Sequence, residues 1–163
     1  METIIRQIYA QWKIAKGQAQ RDCESRSLHN VAEKYRRCNL FKGTERTVDE
    51  LAAVFLSQQG LEFCTRYHFP SLSTFRLFKA QGVDKKYGIH IDAGNITLQN
   101  PERAVLIGRT VAVVNCDECN RHEIVLLHGA RAVINASKWA VVSVTASAGC
   151  GYIKTFSDNA IIL

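Results

Sequence analysis

The sequence predicts an α+β protein: an N-terminal helical domain, residues 1–87, capping a short β-solenoid, residues 88–163, with three strands per coil. Three observations carry this reading. Apolar residues recur at intervals of three and four before Gly88 and at intervals of two after it. The second half resembles itself with a 28-residue period, and its inward parity is filled with small apolar side chains.

The helical elements follow in order. Ile4, Ile5, Ile8, Trp12 and Ala15, then Leu28, Val31, Ala32 and Tyr35, keep helical spacing, which predicts two helices separated near Gly17 or Ser25 to Ser27. Thr47-Val48-Asp49-Glu50 has the form of a capping box, so a helix is expected over 48–57 with Leu51, Val54 and Phe55 buried. Gly60 is read as a separator before a short helix, 61–67, and Pro70-Ser71 opens a last helix through Lys79 with Leu72, Phe75 and Phe78 inward.

Beyond Gly88 the stretch HGARAVINASKWAVVSVTASAG, residues 128–149, alternates almost without a break. At about 3.3 Å per residue it would run about 70 Å as one strand, so the chain has to bend while keeping its inside and outside. ITLQNPERAVL, IVLLHGARAVI and YIKTFSDNAII begin at Ile96, Ile124 and Tyr152, successive starts of the same 28-residue repeat. Turn-prone pairs such as Asn100-Pro101, Gly108-Arg109, His128-Gly129 and Ser157-Asp158 punctuate them, which predicts three strands and three bends per coil, stacked over about two and a half coils. A two-sheet sandwich or a small barrel is the alternative, although neither has a reason to keep such a register. The end at Ile161-Ile162-Leu163 is an exposed sheet edge, which another subunit is expected to cover.

Composition narrows the function. The chain has 163 residues, 47% of them apolar, and a formal charge of +6. Fifteen of its 21 basic and nine of its 15 acidic residues lie in 1–87, so the whole net charge belongs to the helical half. No signal peptide and no bilayer-spanning window is recognisable, so a cytoplasmic or virion-associated protein without a membrane partner is expected, with its six cysteines as free thiols.

Two constellations could carry chemistry. Cys116, Cys119 and His122 stand at C-x-x-C-x-x-H spacing and could bind Zn²⁺, with Cys150 or His128 from the adjacent coil as a fourth ligand. A second C-x-x-C is missing, and the plainer reading is a polar turn with incidental thiols, so no cofactor is expected. Residues 61–79 read helix, turn, helix. Ser71, Ser73, Thr74, Arg76 and Lys79 would then face a DNA groove and its phosphates, against the plainer reading of a helical hairpin with a solvated basic face. His90, Asp92 and His128 could meet across coils but form no recognisable catalytic arrangement. No nucleophile elbow, P-loop or H-E-x-x-H motif occurs, so no enzyme is expected.

LSQQGLEFCTRYHFPSLSTFRLFK, followed by LLHGARAVINASKWAVVSVTASAG and the closing DNAIIL, resembles small proteins of Bacteroidales genomes and their phages or mobile elements. The resemblance covers about two thirds of the chain and implies a helical N-terminal half, a short β-solenoid and no catalytic residues. Together these features predict a non-enzymatic association or structural module forming a dimer or trimer, or binding another protein, through its solenoid. The alternative is a nucleic-acid-binding regulator reading DNA with 61–79 and dimerising through the solenoid.

Overall fold

The computed structural model describes residues 2–82 and 86–163. The chain divides into two compact units, 1–77 and 78–163, the division falling shortly before the change of apolar period at Gly88.

The first unit is helical: α1 (Glu2–Ser25), α2 (His29–Arg37), α3 (Val48–Leu56), α4 (Gln58–Tyr67) and most of α5 (Leu72–Lys79). α1 passes straight through Gly17 and buries Ile8, Trp12, Ala15 and Ala19, one stripe at spacings of four, three and four. It stops at Ser27, a left-handed residue; the Ser27 N–H donates to the Glu24 carbonyl and Leu28 to Cys23 at 2.8 Å, the paired bonds of a Schellman end. Thr47 caps α3 as its sequence requires, its Oγ1 accepting the Glu50 N–H at 3.1 Å, while Glu50 Oε2 accepts from the Arg46 N–H. Trp12 is the centre of an aromatic core, edge-on to Phe63 at 4.5 Å and 5.6 Å from Phe41, which in turn meets Phe55 and Phe69.

The second unit is a parallel β-solenoid with nine strands among the described residues: β1 (Ile89–Ile91), β2 (Gly94–Gln99), β3 (Arg103–Ile107), β4 (Thr110–Cys116), β5 (Arg121–Leu127), β6 (Arg131–Ala136), β7 (Val141–Ala146), β8 (Gly151–Phe156) and β9 (Ile161–Ile162). Odd strands form a five-stranded sheet and even strands a four-stranded one, so each coil contributes two strands and the chain makes about four turns. The expected three strands per coil and 28-residue repeat are corrected here. Paired residues are 16 apart in the first turn, as in Gly94 with Thr110, and 20 apart thereafter, as in Val111 with Arg131 and Val141 with Ile161. A 28-residue step is one 20-residue coil plus an 8-residue passage across the corner from one sheet to the other. Ile96, Ile124 and Tyr152 accordingly lie on β2, β5 and β8, which alternate between the sheets.

The interior is a stack of inward columns. Ile96, Ala112, Ala132 and Tyr152 are in register, as are Leu98, Val114, Ile134 and Lys154. Facing them are Ala104, Leu106, Ile124, Leu126 and Val142, all fully buried. The alanines take little room between the sheets, and Val114, Ile134 and Leu126 fill the rest of the core with larger side chains. In β3 and β5 the outward residues Val105, Ile107, Val125 and Leu127 are buried too, so the second halves of these strands are apolar on both faces, while Arg103 and Glu123 form an ion pair on the outward parity of their first halves.

Corners stack in two columns. On one side Asn100 and Asp117 are cross-bonded, Asn100 Nδ2 donating to Asp117 Oδ1 and the Asp117 N–H to Asn100 Oδ1, and Lys138 of the next coil donates to Asp117 Oδ2 at 3.3 Å. On the other side the Arg109 N–H donates to Asp92 Oδ1 at 2.8 Å, and Gly129 and Ser147 surround Cys150.

Candidate functional site

The structure disperses the expected metal ligands. Cys116 is the last inward residue of β4 and is buried in the core, where it registers with Ala136. Burial, and secondarily the Asp117 charge, pushes its thiol up to about 11. Cys119 is exposed on the corner. His122 points inward on β5, in register with Val142, and donates from Nδ1 to the Pro101 carbonyl at 2.8 Å. Its Nε2 is buried without a partner. Cys150 and His128, the possible fourth ligands, sit in the opposite corner column; the Cys150 Sγ accepts the Gly129 N–H at 3.3 Å. Among the described residues no group of three or more His, Cys, Asp or Glu side chains is placed to hold a metal ion.

The expected DNA-reading residues divide in the same way. Gln11 of α1 ties down the start of α5: its Nε2 donates to Thr74 Oγ1 at 3.0 Å and to Ser71 Oγ at 3.3 Å, and its Oε1 accepts the Ser71 N–H at 2.8 Å. Ser71 Oγ also accepts the Thr74 N–H, which makes Ser71 the cap of α5, and Thr74 is buried. Both side chains therefore help to hold the helix, Thr74 buried and Ser71 half-buried. Ser73, Arg76 and Lys79 are exposed, and Lys79 Nζ donates to the Asp92 carbonyl at 3.0 Å. Asp92, read as a potential partner of His90 and His128, spends its carboxylate on the corner bond to Arg109.

What sequence reasoning passed over is the outer face of the four-stranded sheet. Register gives it twelve outward positions: Asn95, Thr97 and Gln99 on β2, Val111, Val113 and Asn115 on β4, Arg131, Val133 and Asn135 on β6, and Gly151, Ile153 and Thr155 on β8. Only Arg131 is charged. Val111, Val113, Val133 and Ile153 are exposed, the last by 69%, and Val113, Val133 and Ile153 form one continuous ladder. Beside it runs a second ladder of polar groups, in which Asn135 Nδ2 donates to Asn115 Oδ1 at 2.9 Å and Thr155 Oγ1 to Asn135 Oδ1 at 3.0 Å. An open cleft of about 390 Å³ lies along this second ladder, floored by Gln99, Asn115, Asn135 and Thr155 and bounded by Asp117 and Phe156. The signal for this face was present in the sequence. Valines occupy the polar parity of β4 and β6, where a merely solvated face would carry charge.

Among the described residues no helix is long and apolar enough to cross a membrane. Comparison with family models, with curated proteins and with solved structures finds no match to this chain.

Proposed function

We propose that the protein is a non-enzymatic association module that binds a second copy of itself through the outer face of its four-stranded sheet. The observation that carries this reading is the low-charge, partly apolar face of β2, β4, β6 and β8, with the Val113, Val133 and Ile153 ladder at its centre. Contiguous exposed apolar surface on a rigid sheet marks a contact site, and depletion of charge at the centre is what separates interfaces from ordinary surface. A solenoid supports such a face because each rung fixes the next, so few side chains need ordering on contact. An accessory role in a phage or mobile element rests on the sequence resemblance alone.

Size-exclusion chromatography with light scattering tests this on the wild type and on Val113→Lys/Val133→Lys, at low and high salt, with and without random duplex DNA. The wild type is expected to be a dimer or trimer that ignores DNA, and the double variant a folded monomer. A monomeric wild type at all concentrations would refute the reading. A shift with DNA at low salt alone would move the function to the basic helical unit.

A further inference from the structure

The last rung of the four-stranded sheet carries a charge where the fold calls for a hydrophobe. Leu98, Val114 and Ile134 occupy the middle inward column in three successive coils, and the fourth place is Lys154. Its ammonium has three protons to place, and one of them reaches the Ile162 carbonyl at 3.4 Å, a long bond. Around it on the same open layer stand Tyr152 and Phe156 of β8 and Ile162 of β9, with Leu163 exposed beside them. The backbone of β8 is also open on this side. Gly151 and Ser157 donate to Ala130 and Ala136 on the β6 side, so by the alternation of a strand the N–H and C=O groups of Tyr152, Lys154 and Phe156 turn to the free edge.

We infer that this edge receives an extended segment of a partner protein, adding a fifth strand beyond β8, with a carboxylate side chain placed opposite Lys154 and apolar side chains two residues to either side. Main-chain bonds to the free edge would supply affinity and the inward column the specificity. A purely apolar strand would bury the ammonium without a counter-charge, which is costly, whereas a carboxylate pairs with it. A second copy of this chain meeting this edge with its own β8 does not supply the counter-charge: it would bring two Lys154 ammoniums into one layer, and the inward positions there, Tyr152, Lys154, Phe156, Ala160 and Ile162, include no carboxylate side chain. This site is separate from the sheet face proposed for self-association and stands or falls independently of it.

The test uses the full chain and three fluorescein-labelled peptides, Ser-Val-Thr-X-Thr-Val-Ser with X as Glu, Gln or Lys, followed by fluorescence anisotropy. The wild type is expected to bind the Glu peptide about tenfold or more tightly than the Lys peptide. Lys154→Glu should reverse the order, and Lys154→Met should remove the preference. Both substitutions lie on an exposed rung, and an unchanged circular dichroism spectrum establishes that each variant is folded. Equal affinity of the wild type for the three peptides, or no binding of any of them up to about 1 mM, would overturn the inference.

Discussion

Replacing Ile134 by alanine, beside the same change at Val133, reads the solenoid's inside from its outside at adjacent residues. Ile134 is fully buried between Val114 and Lys154 in the central column, whereas Val133 is 36% exposed on the outer face. Ile134→Ala removes three carbons, at about 0.8 kcal/mol each a loss of about 2.4 kcal/mol of burial. The space left in a layer fixed above and below by neighbouring rungs brings the total to about 3–4 kcal/mol. Val133→Ala removes carbons that are partly solvated in the single chain and leaves no cavity there, so at protein concentrations dilute enough to keep the chain monomeric it should cost under about 1 kcal/mol. In urea titrations followed by circular dichroism, with a slope of about 2 kcal/mol/M, the first substitution lowers the midpoint by about 1.5–2 M and the second by about 0.5 M or less. A strand shifted by one residue exchanges its faces. Equal costs, or a larger cost at Val133, would refute the register.

Thiol labelling should separate the cysteines: Cys119 reacts readily at pH 8, while Cys64 and Cys116, both buried and with their thiols pushed up chiefly by that burial, react only on unfolding. Mass spectrometry of the native protein after iodoacetamide checks this. Gly60→Ala should destabilise the helical unit by at least about 2 kcal/mol, because a Cβ there would lie 2.1 Å from the Val54 carbonyl oxygen and the backbone would have to move. Thermal melts of that variant beside Thr47→Ala, which loses one cap worth about 1 kcal/mol, give the comparison. Asp117 is held below the ordinary carboxylate range, first by Asn100 and then by Lys138. Its folded value is depressed, so its contribution is present above the ordinary carboxylate range and is lost as pH falls through the folded value. Asp117→Asn should therefore flatten the acid limb of stability against pH.

Sequence legibility followed the physics of each element. The helices of the first unit were readable because one apolar stripe and local caps determine them, as Trp12 and Thr47 show. Gly60 misleads, reading as a break. It lies in the first turn of α4, whose cap is Ser57, and the close approach of the Val54 carbonyl is what calls for glycine. In the second unit the change of period and the inward alanines identify a solenoid, but not its coil. The two sheets carry similar Ala-Val segments on either side of a corner, as at Ala104 and Ala112. Spacing alone therefore cannot separate a step across the coil from a step along the stack; the pairing of Ala112 with Ala132 does. The candidate ligands Cys116, Cys119 and His122 were legible as a motif and not as a site. Strand alternation places Cys116 and His122 inside the solenoid, while the corner leaves Cys119 outside.

The two-strand, 20-residue coil is tested most directly by removing one. Deleting Arg121–Ala140 joins Asn120 to Val141, the residue that registers with Arg121, and so takes out one full turn. The shortened protein is expected to keep a cooperative unfolding transition and its β-sheet circular dichroism signal. A 28-residue deletion, Val113–Ala140, would run β4 on into β7 and send a strand of one sheet into the other, and it should abolish the transition. A folded 28-residue deletion with an unfolded 20-residue one would contradict the architecture described here.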